Sequence, residues 1–200
     1  FLKSLQSLSE GKKYKLIGTY QNHPIQFPFC KNVPLDITDK MAVLRLDFFR
    51  PDIILHCAAM ANIAQCETNP ELARQINVEG TKNIVALAKN TGAKLVYIST
   101  DAVFDGEKGN YTEASIPIPH TVYGKTKLEG EIYCLEADID CLVSRISILG
   151  KNHCTFVLSF IESILDKLVK GVCFHGFTDA VYAPLYAPYT LQVIMDLAFK

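Results

Sequence analysis

The chain has 200 residues, 49% of them hydrophobic, with 20 basic and 21 acidic side chains and a formal net charge of -1. No basic tract stands out, which argues against a nucleic-acid binder, and no apolar run approaches the length that crosses a bilayer. The seven cysteines form no C-x-x-C pair. We interpret them as reduced, mostly buried thiols of a cytoplasmic protein, and we predict no metal site.

Hydrophobic periodicity and turn residues divide the chain into alternating strands and helices. The predicted strands cover residues 14–20, 52–56, 94–99, 141–149 and 172–176. The predicted helices cover residues 1–8, 39–49, 69–90, 123–137, 155–170 and 188–200, and residues 21–33 form a predicted loop. Strands that alternate with helices favour a parallel α/β sheet with right-handed crossovers.

The first segment with candidate chemistry follows the apolar run 95–98 (LVYI), which predicts a buried parallel strand. Such sheets bind ligands just beyond the carboxyl ends of their strands. We therefore expect Thr100 and Asp101, which come after this run, to lie where a substrate lies. His56 also stands at the end of a predicted strand, and we interpret it as a packed core residue.

The second segment begins a predicted helix with Tyr123 and Lys127, which share one helix face because they are four residues apart. An ammonium beside a phenol favours the phenolate, so we expect the pKa of Tyr123 to lie below its ordinary value of about 10. Tyr123 is then a usable proton donor or acceptor near neutral pH, and the Thr100 hydroxyl is placed to hold the same oxygen. By itself, a Tyr-x-x-x-Lys spacing is more often found on an ordinary surface helix.

Four longer strings make the pattern more specific. They are Pro51–Ala59 (PDIILHCAA), Ile76–Gly80 (INVEG), Ser99–Gly106 (STDAVFDG) and Val122–Glu131 (VYGKTKLEGE). Together they resemble the extended short-chain dehydrogenase/reductase family and, within it, the dTDP-4-dehydrorhamnose reductases and their relatives. The resemblance covers nearly the whole chain and implies a Rossmann-type doubly wound parallel sheet.

The resemblance also shows what the sequence does not contain. The first strand of that sheet and its Gly-x-x-Gly-x-x-Gly turn, which binds the pyrophosphate, are not found. Either the chain is a fragment, or cofactor binding has been lost. We expect residues 1–150 to form an N-terminally incomplete NAD(P)-binding domain, and residues 151–200 to begin a C-terminally incomplete substrate-binding region.

The resemblance implies a role for individual residues. Tyr123 protonates a nascent alkoxide, Lys127 lowers the pKa of Tyr123 and contacts the nicotinamide ribose, and Thr100 binds the carbonyl oxygen. The implied cofactor is NADP or NAD, held by Asp36, Ile37, Cys57, Ala58, Ala59, Asn77, Ser99, Tyr123 and Lys127. The implied substrate contacts are Thr100, Asp101, Val103 and Phe104. Residues 18–20, at the end of the first predicted strand, include no carboxylate, which disfavours strict NAD use.

These observations favour an NAD(P)H-dependent reductase of a 4-keto nucleotide sugar, as in dTDP-rhamnose biosynthesis. One alternative is a non-catalytic NADP-binding subunit that resembles the regulatory subunit of methionine adenosyltransferase, and another is a sugar-nucleotide epimerase. A dehydratase reaction is disfavoured, because the dehydratases of this family carry a glutamate where this chain has Ala102. The expected partners are therefore a nucleotide-sugar substrate and either a second copy of the chain or a partner enzyme.

Overall fold

Strands and helices alternate along the chain. The computed structural model describes residues 14–24, 29–150, 159–176, 178–179 and 181–200. The strands in these ranges are β1 (Leu16–Tyr20), β2 (Cys30–Pro34), β3 (Ile53–His56), β4 (Lys94–Thr100), β5 (Cys141–Ile146), β6 (Ile148–Leu149) and β7 (Leu185–Tyr186). The α-helices are α1 (Lys40–Leu44), α2 (Ile63–Thr68), α3 (Pro70–Arg74), α4 (Gly80–Thr91), α5 (Val122–Glu136), α6 (Phe160–Val169) and α7 (Ala187–Ala198).

The strands pair in parallel, and the predicted parallel α/β fold is confirmed. β1 pairs with β2 in the register Leu16 to Cys30, and β3 pairs with β4 in the register Ile53 to Lys94. Among the described residues the strands form separate sheets, β1–β2, β3–β4–β5 and β6–β7. In the Rossmann strand order 3-2-1-4-5-6, the first strand joins the two halves. The break between β1–β2 and β3–β4–β5 lies at the position of that strand.

The chain divides into two compact units at the boundary between Arg145 and Ile146. The earlier unit contains α1 to α5, the β1–β2 pair and the β3–β4–β5 sheet up to Arg145. The later unit contains β6, β7, α6 and α7. The functional assignment of residues 1–150 and 151–200 to cofactor and substrate binding stays a prediction.

Several predicted elements differ in their bounds or type. The predicted loop 21–33 ends in β2, which forms because its backbone pairs with β1 although its sequence (CKNVP) is only weakly apolar. The predicted helix 69–90 consists of α3, a π-helical segment at Gln75–Glu79 and α4. The predicted helix 39–49 is α1 followed by a 3-10 turn, and residues 172–176 form no strand. Residues 1–8 and 155–158 lie outside the described part.

The cysteines follow the prediction only in part. In the described ranges all are free thiols, of which Cys30, Cys66 and Cys134 are buried, whereas Cys57 and Cys173 are exposed. These ranges contain no cluster of His, Cys, Asp or Glu side chains that could hold a metal ion. Nor does any helix within them have both the length and the apolar character to span a membrane.

The core of the earlier unit is centred on β4 and covered by α5. Leu95, Val96 and Tyr97 are fully buried because β4 is the middle strand of its sheet. Tyr97 extends beneath α5, where its hydroxyl donates a hydrogen bond to the carbonyl oxygen of Lys127 at 3.2 Å. Gly130 makes this approach possible, since a Cβ there would collide with the Tyr97 hydroxyl and lie 3.0 Å from Cζ.

Gly130→Ala tests this close approach. Because the Tyr97 ring is fully buried, we expect the substitution to lower the free energy of unfolding by about 1–3 kcal/mol, as measured by urea unfolding. Gly176→Ala is the matched control, since no atom lies within 4 Å of its added Cβ. Adding Tyr97→Phe should restore part of the loss. Equal stability of the two alanine variants would contradict this packing.

Candidate active site

The carboxyl end of β4 forms one side of the candidate site. Ser99 and Thr100 are buried, and a 3-10 turn, Asp101–Val103, follows them. The Thr100 hydroxyl caps this turn: it accepts a hydrogen bond from the Ala102 backbone N–H at 3.1 Å and donates one to Asp101 Oδ1 at 3.1 Å. The hydroxyl is therefore held in a defined direction at the end of the strand.

The first turn of α5 forms the other side. Thr121 caps the helix by accepting a hydrogen bond from Gly124 N at 3.0 Å, and Glu67 of α2 accepts one from Val122 N at 2.7 Å. A Cβ at Gly124 would collide with the carbonyl oxygen of Ala102, so glycine lets the helix contact the turn after β4 directly. This contact brings Tyr123 beside Thr100.

Tyr123 is half-buried and lies near the Thr100 hydroxyl. Burial raises the pKa of Tyr123 above its ordinary value, and the nearby Thr100 hydroxyl opposes this rise. The charge of Asp101 adds to the rise. The predicted lowering of the Tyr123 pKa is therefore wrong for this structure, because desolvation of the phenolate outweighs the groups that favour it. The phenol is neutral near neutral pH.

Lys127 lies on the same helix but points its ammonium at another tyrosine. Its side chain is only 3% exposed, and Nζ lies 4.0 Å from the centroid of the Tyr97 ring, a cation–π contact. Burial lowers the pKa of Lys127 from its ordinary 10.5 to about 8, and the Glu131 carboxylate opposes that shift. The ammonium that was expected to act on Tyr123 thus lies on the Tyr97 ring.

His56 is a core residue, as predicted. Its Nε2 lies 3.0 Å from the Thr81 hydroxyl, which itself donates to the carbonyl oxygen of Asn77 at 2.6 Å. Since the hydroxyl hydrogen is engaged, Nε2 carries the proton and donates it to Thr81. Burial, with a smaller contribution from Lys127, lowers the pKa of His56 to about 3, so the ring is neutral.

Asn77, which was assigned to the cofactor, links three parts of the protein. Its Oδ1 accepts a hydrogen bond from Met60 N at 2.8 Å, and its Nδ2 donates to Met60 O at 3.2 Å and to the Thr126 hydroxyl at 2.9 Å. Both amide hydrogens are therefore used within the protein. The side chain holds the turn after β3 against α5.

The turn after β3 contains the other predicted cofactor residues that are accessible. Cys57 and Ala58 are exposed and Ala59 is partly exposed, directly after the buried His56. Their small side chains leave the backbone open to a flat ligand. Cys57 also lies close enough to Lys127 for the two to interact electrostatically.

The predicted cofactor contacts after β2, Asp36 and Ile37, are less accessible than expected. Asp36 is exposed, but its carboxylate accepts hydrogen bonds from Thr38 N at 2.9 Å, from the Thr38 hydroxyl at 2.7 Å and from Gln21 Nε2 at 3.2 Å. These bonds lower the pKa of Asp36. Ile37 is buried, and a Cβ at Gly80 would meet its Cγ1 at 2.8 Å. Only Asp36 of this pair presents a polar group to solvent.

The predicted substrate residues after Thr100 separate into accessible and inaccessible ones. Asp101 is exposed, whereas Val103 is fully buried. The Phe104 ring stacks on Tyr111, with centroids 4.3 Å apart, and Arg145 Cζ lies 5.1 Å from its centroid. The ring is thus already engaged by the protein, because two side chains pack on it.

Ser99 was assigned to the cofactor, but its hydroxyl donates a hydrogen bond to the buried carboxylate of Glu131. Glu131 in turn pairs with Arg145. Tyr97, Glu131 and Arg145 were not predicted from the sequence as site residues. Two signals were present: Glu131 follows Lys127 by one helical turn, and Arg145 is a charged residue within an apolar strand.

Comparisons with known proteins find a matching family model and similar chains. The model of the family described as the RmlD substrate binding domain matches residues 5–191. Methionine adenosyltransferase 2 subunit beta from Xenopus laevis is 41% identical over 135 residues, which are 67% of this chain and 40% of that protein. A dTDP-4-dehydrorhamnose reductase from Aggregatibacter actinomycetemcomitans is 32% identical over 169 residues, which are 83% of this chain and 56% of that protein.

Solved structures show the same similarity. A hypothetical dTDP-4-dehydrorhamnose reductase from Sulfolobus tokodaii has a TM-score of 0.84 and 32% identity, covering 98% of this chain and 68% of that one. The dTDP-4-dehydrorhamnose reductase of Bacillus anthracis, solved in complex with NADP, has a TM-score of 0.75 and 30% identity, covering 94% and 71%. The chain spans about two fifths of the length of the beta subunit from Xenopus laevis.

Lys127→Met tests the burial of the ammonium. Because the pKa of Lys127 is lowered to about 8 in the folded chain, the unfolded chain binds more protons between pH 8 and 10.5. We expect wild type to gain up to about 3 kcal/mol of stability relative to Lys127→Met as the pH rises through this window. Urea unfolding at a series of pH values measures the difference.

The control for this series is Lys125→Met, which removes an exposed lysine from the same helix. Its stability relative to wild type should stay nearly constant over the same pH range. If the difference in unfolding free energy between wild type and Lys127→Met did not change with pH, burial of the ammonium would carry no energetic cost.

Proposed function

Because the chain belongs to the RmlD substrate binding domain family, we propose that it reduces the 4-keto group of a nucleotide sugar with NADPH or NADH. The observation that carries this proposal is that Tyr123 lies near Thr100 at the carboxyl end of β4. Two hydroxyl groups that meet at this edge of a parallel sheet can both reach one carbonyl oxygen. The similarity to dTDP-4-dehydrorhamnose reductases supports the substrate class.

In this proposal Tyr123 is the proton donor. Its raised pKa keeps the phenol protonated near neutral pH, which is the form that a reduction needs. The phenol gives its proton to the alkoxide oxygen that forms at the former carbonyl carbon. The Thr100 hydroxyl redirects its hydrogen from Asp101 Oδ1 to the same oxygen, and Asp101, exposed beside it, contacts a sugar hydroxyl.

The exposed turn after β3 suits a dinucleotide, since Cys57, Ala58 and Ala59 leave its backbone accessible beside α5. A reduced nicotinamide, when bound, supplies the hydride. Lys127 of α5 would contact the nicotinamide ribose. The similarity to a reductase solved with NADP supports this cofactor class.

The same proposal assigns the wider organisation. Residues 1–150 bind the cofactor, and residues 151–200 belong to the region that binds the nucleotide sugar. A cytoplasmic location is supported by the free thiols of the described residues, because thiols stay reduced there. The substrate is a nucleotide sugar, and a second copy of the chain is the proposed partner.

A second candidate function is a non-catalytic NADP-binding subunit of a methionine adenosyltransferase. It is favoured by the 46% identity over 120 residues to methionine adenosyltransferase 2 subunit beta from Rattus norvegicus, which exceeds the identity to the reductases. The site geometry fits both candidates, since a cofactor can bind at this edge of the sheet without being consumed. The reductase is the main proposal because the Tyr123–Thr100 pair provides the acid that reduction requires.

Tyr123→Phe tests the reductase. The purified wild-type protein should oxidise NADPH in the presence of dTDP-4-dehydrorhamnose, and the variant should lose about 100-fold or more of this rate because it has no proton to donate. The decrease in reduced-nicotinamide absorbance measures both rates. Tyr133→Phe, which changes an exposed tyrosine of the same helix, is the control and should keep the wild-type rate. Full activity of Tyr123→Phe would exclude this tyrosine as the acid.

A binding experiment separates the two candidates. The reductase predicts NADPH oxidation by the protein alone and no co-elution with a methionine adenosyltransferase catalytic subunit on size-exclusion chromatography. The regulatory subunit predicts the reverse pattern, co-elution without NADPH oxidation by wild type.

A further inference from the structure

A buried ion pair lies behind the candidate site. Glu131 of α5 is 1% exposed, and Arg145 of β5 binds it through two nitrogens. Arg145 Nη2 lies 2.7 Å from Oε2, and Nε lies 3.1 Å from both carboxylate oxygens. A carboxylate this deeply buried needs a charged partner, and the bidentate geometry provides one.

The pair connects the elements that form the site. The Ser99 hydroxyl, one residue before Thr100, donates to the Glu131 carboxylate and thereby joins β4 to α5. Arg145 packs on the Phe104 ring, and Phe104 stacks on Tyr111. These contacts run from the helix of Tyr123 to the strand end and on to the loop that follows it.

The pair also determines the charge around Lys127. The titratable groups that face Lys127 are His56 and Cys57 from β3 and the turn after it, Tyr97 from β4, and Glu131 and Cys134 from α5 itself. Burial keeps His56 neutral near neutral pH. Desolvation of its thiol raises the pKa of Cys57 to about 11, although the residue as a whole is exposed. The hydrogen bond with Cys141, followed by burial, raises the pKa of Cys134, so both thiols are neutral near neutral pH. Among these groups Glu131 is therefore the anion near neutral pH, and it stands one helical turn from Lys127.

We propose that Glu131, held by Arg145 and Ser99, is a positioning residue of the candidate site: it fixes the end of β4 against α5 and supplies the negative charge that keeps Lys127 protonated. The proposal rests on the proposed function, because the site that Glu131 serves is the Tyr123–Thr100–Lys127 site. Glu131 touches no reacting atom and acts through Ser99, Arg145 and Lys127.

The experiment is a pH titration of Lys127, followed by NMR of the lysine ε positions in the purified chain and assigned with Lys127→Arg. Glu131→Gln keeps the shape of the side chain and removes its charge, so the Lys127 midpoint should move down by about one pH unit. Glu129→Gln, on the same helix, is the matched control and should leave the midpoint in place; Glu129 is half-exposed and paired with Arg74.

Two substitutions of Arg145 separate charge from geometry. Arg145→Lys keeps the charge and should leave the Lys127 midpoint in place, while the Phe104 and Tyr111 ring signals move because the planar contact is lost. Arg145→Met removes the charge that neutralises Glu131, so the Lys127 midpoint should move up.

A folded Glu131→Gln variant with an unchanged Lys127 midpoint would overturn the proposal. If Glu131→Gln does not fold, the Arg145→Met variant tests the proposal instead. An unchanged or lower Lys127 midpoint in Arg145→Met would overturn the proposal. The titration needs no substrate, so it gives the same answer whether or not the protein reduces a 4-keto sugar. If wild type did not oxidise NADPH, that result would count against the reductase and not against the role of Glu131.

Discussion

The close contact between α5 and β4 is the constraint on which the rest of the site depends. Two glycines make it possible: Gly130 leaves room for the fully buried Tyr97, and Gly124 leaves room for the backbone of Ala102. The contact gives Tyr97 two tasks, since its hydroxyl binds the Lys127 carbonyl and its ring receives the Lys127 ammonium. A side chain larger than hydrogen at either glycine would separate the strand end from the helix that carries Tyr123.

This packing explains why the ionisable groups differ from simple expectation. Burial disfavours the charged form of every group, so it raises the pKa of Tyr123 and lowers that of Lys127. The phenol therefore stays protonated, while the ammonium is brought close to its titration range. The Glu131–Arg145 pair limits the change at Lys127 by placing a carboxylate one turn away.

The protein holds this arrangement through its own hydrogen bonds. Asn77 fixes the turn after β3, Glu67 fixes the first amide of α5, and Thr100 fixes the turn after β4. These bonds, all made within the protein, hold the two turns and the start of α5 in place, which reduces the ordering that binding requires.

The sequence by itself determined the parallel α/β fold and the positions of β4 and α5, whose ends carry Thr100 and Tyr123. Each depends on a local signal: an apolar run, a four-residue spacing, or the order of strands and helices. Only the tertiary structure decided that Ile37 and Val103 are buried, that Lys127 lies on Tyr97, and that Ser99 binds Glu131. Those contacts join residues that are far apart in the chain, such as Asn77 and Thr126. Side-chain direction and desolvation depend on such neighbours, and no short stretch of sequence contains them.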